Sequence, residues 1–277
     1  MRVRGGVLAC SSGWPRRASG LWATGFLLGS VTGPLVGGGL VVFGLRAPFV
    51  VYAVMLLAAM ALTGLLLRGR PGATFEPGSA GPELVFRDVL RHPAYRAALA
   101  AAFANGWAVY GVRVALVPLF VVEALGRTES WAGIALAVFA AGNALTLVVA
   151  GRLADRRGRR PPILAGLGVS AVATAALGVV PSLPAFLAVS LVAGLGSGLV
   201  NPPVNAAVAD LVGTRSRGGT VLAGFQMASD VGAILGPLVA GAVAQGFGYG
   251  PAFGLTAVVL LLALVLWLRA PETRPDP

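Results

Sequence analysis

The sequence predicts an all-α membrane protein with eight transmembrane helices, and three observations carry that reading. Of the 277 residues 57% are hydrophobic and 11% charged, with mean hydropathy +0.84, whereas a soluble domain uses about 25% charged residues to cover its surface. Apolar runs of roughly 20 residues, enough to cross ~30 Å of hydrocarbon as helix, follow one another along nearly the whole chain. The basic residues, 21 arginines and no lysine, gather in alternate connections between those runs, the pattern by which membrane proteins set their topology.

Taken in order, the spans fall at about 20–43, 48–67, 97–122, 131–150, 162–180, 184–209, 219–243 and 251–268. Residues 1–19 lack a continuous apolar core and a clear cleavage site, so no signal peptide is expected there. The runs are too long and continuous for the alternating ten-residue strands of a membrane barrel. Residues 69–96 form the long hydrophilic connection. Its first half, with Pro71, Pro77 and Pro82, reads as a flexible linker, and FRDVLRHPAYR reads as a short amphipathic helix at the membrane interface. The chain therefore divides into residues 1–68 with two spans, a linker at 69–96, and residues 97–277 with six spans.

If the helices alternate in direction, eighteen of the 21 arginines lie on one side: residues 2, 4, 16, 17, 68, 70, 87, 91, 96, 152, 156, 157, 159, 160, 215, 217, 269 and 274. Arg46 and Arg127 lie on the other. The positive-inside rule then puts both termini in the cytoplasm, and it accounts for the net charge of +11 without nucleic acid as a partner. The expected surroundings are a lipid bilayer. Richness in Ala, Gly and Arg without Lys reads as a GC-rich bacterial genome, hence the bacterial plasma membrane. A single cysteine, Cys10, and a single histidine, His92, offer no disulfide and no Cys/His metal site. With no clustered nucleophile and base, an enzyme is not expected, nor is any cofactor.

An internal repeat divides the chain further. Gly29-Ser30-Val31-Thr32-Gly33-Pro34-Leu35-Val36-Gly37-Gly38 aligns without gaps to Gly232-Ala233-Ile234-Leu235-Gly236-Pro237-Leu238-Val239-Ala240-Gly241, with six of ten positions identical. At the same offset Pro48 matches Pro251. The last two spans thus repeat the first two, as parallel duplicated halves of a transporter would. Gly29, Gly33 and Gly37 make a stripe that lets a second helix come close, and Pro34 leaves the Ser30 carbonyl without its usual partner. Pro237 does the same to Ala233.

The stretch Gly151-Arg152-Leu153-Ala154-Asp155-Arg156-Arg157-Gly158-Arg159-Arg160, read as a tight basic connection between the fourth and fifth spans, matches the loop signature G-x-L-A-D-R-x-G-R-R in full. On these residues the chain resembles the major facilitator superfamily over residues 16–277. The resemblance implies a bundle of that type, matching the last eight of twelve helices, so that residues 1–68 would be the remnant of an N-terminal half. It implies that Asp155 docks on a helix N-terminus of the other half, near Ser19 and Gly20, with Gly151, Arg156, Gly158, Arg159 and Arg160 completing a gating loop. It also implies an antiporter-type motif in Gly29, Gly33, Pro34, Gly37 and Gly38, repeated in Gly232, Gly236, Pro237 and Gly241, although generic small-residue packing accounts for such a stripe equally well.

Polar residues inside the spans give an independent argument. Of the Asn, Gln and charged residues, Asn105 and Arg113 fall in the third, Asn143 in the fourth, Asn201 and Asn205 in the sixth, Gln226 and Asp230 in the seventh, and none in the second, fifth or eighth. Buried polar groups are costly in hydrocarbon, so the polar-free helices are expected to face lipid and the others protein or water. Asp230 and Arg113 would make a facing pair or separate contacts with proton and substrate. Asn201-Pro202-Pro203-Val204-Asn205 is expected to break the sixth helix. Trp22, Trp107, Trp131 and Tyr249 suit an interfacial belt. The expected function is proton-coupled efflux of a small molecule by alternating access. The missing helices or another chain would be needed for a complete cavity, and the alternative is a truncated, non-transporting membrane scaffold.

Overall fold

The computed structural model describes residues 47–67, 86–212 and 219–274. The first predicted span, with Gly29, Gly33, Pro34, Gly37 and Gly38, lies outside them, as do Ser19 and Gly20. The described residues form helices throughout: α1 (Ala47–Leu67), the one-and-a-half-turn α2 (Phe86–Arg91), α3 (Pro93–Ala124), α4 (Glu129–Arg157), α5 (Arg160–Leu177), α6 (Leu183–Val212), α7 (Gly219–Phe247) and α8 (Tyr249–Arg269). The six from α3 to α8 are each long and apolar enough to cross a membrane.

The start of α3 is built from its own sequence. His92 is extended (ψ 125°), its imidazole accepts from the Ala94 N–H at 3.3 Å, and Pro93 at the first helical position donates nothing that would go unmet. Two stretches of α3, Gly106–Val112 and Phe120–Ala124, take up π-helical geometry. Each adds a residue to the turn and so rotates every side chain that follows it.

Helix α6 packs against α4 and α5, and α3 packs against α7, α8 and α6. Small residues set these contacts. A Cβ on Gly232 of α7 would overlap the Phe103 carbonyl of α3, and one on Gly106 would overlap the Ser229 carbonyl of α7. Farther along the same seam, a Cβ on Gly111 would lie 2.8 Å from Pro237 Cδ and 3.1 Å from the Ala233 carbonyl that Pro237 leaves without a helical partner. Gly194 and Gly198 of α6 do the same against the backbone of Phe139 and Asn143 in α4. Between the seams run isolated hydrogen bonds: Tyr95 Oη donates to the Val221 carbonyl (2.7 Å), and Thr146 Oγ1 to the Leu195 carbonyl (2.8 Å).

Three expectations are corrected here. The basic connection is shorter than its motif, because α4 continues through Arg157 and only Gly158 and Arg159 separate it from α5. Charge ends the membrane-crossing stretch, yet arginine and alanine favour helix and carry it on. Helix α6 runs unbroken through Pro202 and Pro203 to Val212, since only the two carbonyls one turn earlier lose a partner while α4 and α5 support the helix on either side. Trp107 is not interfacial: it is buried within α3 and donates through Nε1 to Thr256 Oγ1 of α8 at 3.3 Å.

On α5 and α8, which lack Asn, Gln and mid-span charges, the large side chains turned outward are apolar apart from Arg269 at the end of α8: Val169 and Val172 on one, and Val258, Leu262 and Leu268 among others on the other. The least buried spans are α4 and α7. Their polar residues predict shelter, but the described residues shelter them only in part.

The α3–α7 seam predicts a clear asymmetry between two substitutions. Gly232→Ala should destabilise the detergent-purified protein by about 1–3 kcal/mol, the usual cost of overpacking, seen as a lower thermal midpoint. Gly241→Ala, where a Cβ meets nothing within 4 Å, should leave the midpoint unchanged or raise it slightly.

Candidate functional site

The site is built where the α4–α6 seam meets the π-helical stretch of α3. Arg113 follows that stretch directly, and its side chain turns inward, 6% exposed. Phe139 of α4 lies over the guanidinium, with Cζ 3.8 Å from the ring centroid. Around them a pocket is lined by Asn105, Phe139, Ser170, Thr174 and Ser197, with Leu167, Val200 and Leu260 closing its apolar side. Asn143 Nδ2 donates to Ser197 Oγ (3.2 Å), and Ser197 Oγ lies 3.5 Å from Asn105 Oδ1 in a donating geometry. The structure thus brings three of the predicted residues, Asn105, Arg113 and Asn143, to one place.

It keeps the others apart. Asp230 is exposed on α7 and accepts from Gln226 Nε2 at 2.9 Å, one turn away on the same helix. Arg113 and Asp230 are therefore not partners, and the facing pair that the sequence allows is not formed. Asn201 is half-buried, Asn205 is exposed, and neither lines the pocket. Of the small-residue repeat, Gly232, Gly236 and Pro237 meet α3, whereas Gly241 meets nothing.

Sequence reasoning missed Ser170, Thr174 and Ser197. Serine and threonine in a helix usually bond the carbonyl a turn earlier, so their presence in a span signals little. Only their spacing held a clue: Ser170 and Thr174 stand four apart on α5, on the face turned to α6.

A second cluster lies at the arginine-rich end. Arg159 donates through Nε to Asp210 (3.0 Å) and through Nη1 to Asp155 (2.7 Å), which ties the turn after α4 to the end of α6. Burial alone would lower the Arg159 pKa, and the two carboxylates more than reverse it, so it stands above its usual value. Glu272, beyond α8, accepts the backbone N–H groups of Arg159 (2.7 Å) and Arg160 (3.1 Å), the exposed donors at the start of α5. Arg160 in turn donates to the carbonyls of Trp267 and Leu268 at the end of α8, and Arg274 to that of Arg156 at 2.8 Å. Gly158 makes the turn at φ 97°, where a side chain would be strained and would run into the Glu272 carboxylate. Asp155 itself is mostly exposed. The sequence gives no local signal for Glu272 or Asp210, which lie 113 and 51 residues from Arg159.

Burial alone would raise the Glu272 carboxyl, but the N–H groups of Arg159, Arg160, Arg274 and Thr273 hold it below its usual value. A depressed carboxylate stabilises above its unfolded pKa of about 4.3, and that contribution is lost as pH falls through the folded value. Amide exchange at Arg159 and Arg160 should accordingly become less protected, relative to the intrinsic rate, as pH drops below about 4. In Glu272→Gln that pH step should disappear, with protection at both amides lower at neutral pH.

Comparison with known proteins agrees with this architecture. The profile described as Major Facilitator Superfamily matches residues 16–126 and 98–277. The multidrug resistance protein MdtG of Serratia proteamaculans is 35% identical over 167 residues, covering 58% of this chain and 40% of that protein. MdtG of Dickeya zeae is 33% identical over 147 residues, covering 53% and 36%. A crystal structure of the peptide transporter POT in complex with sulfate superposes with TM-score 0.58 and 28% identity, covering 69% of this chain and 40% of the other. A POT family transporter in complex with 5-aminolevulinic acid, 20% identical with TM-score 0.55, shares the fold over 63% of this chain and 37% of its own. The chain spans about two fifths of the length of the curated relatives it matches. It belongs to the Major Facilitator Superfamily and is a multi-pass membrane protein.

Proposed function

We propose that the chain is the working C-terminal portion of a secondary transporter that expels a small molecule from a bacterial cell by alternating access, driven by the proton gradient. The observation that carries the proposal is Asp230. It is a carboxylate near the middle of an apolar 29-residue helix, exposed on that helix and partnered only by Gln226 among the described residues. A charge at that depth costs at least ~2.5 kcal/mol, so it faces water, protein or an exchangeable proton. Drug efflux is the reading that the MdtG relatives support, since their name describes multidrug resistance.

In this reading Asp230 takes up and releases the proton, and Asn105, Arg113 and Asn143 border the substrate cavity. Helices beyond these 277 residues, from a longer reading frame or a second chain, complete that cavity against the exposed faces of α4 and α7. The membrane is the bacterial plasma membrane, both termini face the cytoplasm, and the Arg156–Arg160 turn lies on the cytoplasmic side. The resemblance gives Asp155 a further role: mostly exposed, with one oxygen on Arg159, it closes the gate against the other half. A non-transporting scaffold is the second reading, supported by the short span of the relatives that the chain covers.

Inside-out vesicles carrying the chain together with the helices that complete its cavity, energised to acidify their lumen and given hydrophobic drugs, test the proposal. Drug-dependent proton release is expected. Asp230→Asn should abolish the pH dependence of transport while leaving membrane insertion intact. Full insertion with no drug-dependent proton movement would favour the scaffold.

A further inference from the structure

We propose that the Arg113 pocket binds a single halide-sized monoanion, chloride being the halide that cells supply. Three observations lead there. First, Arg113 is buried, and its Nε and Nη1 have no hydrogen-bond partner among the described residues. With Phe139 stacked over Cζ, the face of the guanidinium is covered and its in-plane N–H donors remain to be met. Second, Ser170 Oγ, which lines the same pocket, is also buried without a partner among the described residues. Unmet donors from α3 and α5 thus border one space.

Third, no carboxylate among the described residues reaches Arg113. Among the described acidic residues, Glu123 accepts from Tyr249, Asp155 and Asp210 accept from Arg159, Asp230 from Gln226, and Glu272 from backbone N–H groups. Asp88 and Glu129 lie in the first turns of α2 and α4. The remaining three acidic residues, Glu76, Glu83 and Asp276, fall in hydrophilic sequence away from any span.

The chemistry then selects the ligand. A water molecule accepts only two hydrogen bonds and leaves the buried cation uncompensated, whereas an anion takes every donor offered and neutralises it. The free space is about 10 Å³, roughly that of one water-sized sphere. A space that small suits a monatomic ion better than a carboxylate or sulfate. The neutral dipoles of Asn105, Thr174 and Ser197 complete the lining.

Binding is an equilibrium property of the 277-residue chain and requires no transport. Failure of this inference therefore leaves the role of Asp230 standing, and failure of proton coupling leaves this one standing. The test follows thermal unfolding of the purified chain in detergent, titrated from sodium gluconate into sodium chloride at constant ionic strength, together with the chlorine-35 line width. Chloride and bromide should raise the midpoint saturably and broaden the exchangeable chloride signal, and acetate and sulfate should match gluconate. Ser170→Ala, which removes one donor to a charged ligand, should raise the half-saturating chloride concentration about tenfold, and Arg113→Met should abolish saturation. Should Arg113→Met fail to fold, Ser170→Ala and the line width decide. The site is refuted if chloride does no more than gluconate, if acetate or sulfate binds as well as chloride, or if Ser170→Ala binds chloride like the wild type.

Discussion

Backbone-to-backbone contact through glycine holds this bundle together, and the site depends on it. Inside a bilayer, apolar side chains gain nothing by leaving lipid for one another, so helices associate by close packing and by the few hydrogen bonds that closeness allows. Gly194 and Gly198 let α6 lie directly on α4. Only at that separation does Asn143 reach Ser197, and only there does Phe139 stand over Arg113. The α3–α7 seam has the same logic, with the π-helical stretch of α3 offering Gly106 and Gly111 to the Ser229 carbonyl and to Pro237. The proline-and-glycine element repeated in α7 is thus first a packing device, and any part in transport is built on that packing.

The same seams account for the opposite surroundings of the two intramembrane charges. Helical residues advance by about 100° each, so Asp230, two positions before Gly232, points away from the face that Gly232 lays on α3. Its exposure follows from the position of the glycine. Arg113 is turned the other way by the π-helical stretch immediately before it. A charge that has to be inward and one that has to be outward are therefore set by backbone features a few residues away, and they do not compensate one another.

Much of this was legible in the sequence. The described spans appear where continuous apolar runs place them, because hydrocarbon thickness fixes the length of such a run. Their ends were less legible: Arg152, Asp155 and Arg156 look like loop residues since they close an apolar run, yet helix geometry does not stop at the membrane surface. Asn105, Arg113 and Asn143 announced themselves by their cost in lipid. Which of the polar residues would meet was hidden, since that depends on helix rotation, on π-helical turns that composition does not reveal, and on glycines whose partners are far off in sequence, from Gly194 against Phe139 to Gly232 against Phe103. Trp107 was misread because its indole finds an acceptor in Thr256 of another helix, and a buried tryptophan with a partner has no need of the interface.

Both ends of the bundle have a buried apolar core, and the contacts laid over them differ in kind. At the arginine-rich end the turn after α4, the end of α6 and the tail beyond α8 are joined by charged side chains, several of them exposed. Exposed ion pairs contribute about 0–1 kcal/mol each and weaken with salt. At the opposite end Phe120 meets Phe186, Tyr249 and Phe253 with ring centroids 5.1, 5.3 and 5.7 Å apart, and aromatic pairs add about 0.5–1.5 kcal/mol apiece beyond the area they bury. Contacts of the first kind exchange readily with water or with other charged partners, while contacts of the second kind are lost only by unpacking a core. The arginine-rich end keeps an apolar core of its own beneath those charges, with Tyr95, Ile163, Val208 and Trp267 fully buried, so exchange of partners by Glu272 and Arg159 loosens the surface turns there while the helix ends stay packed.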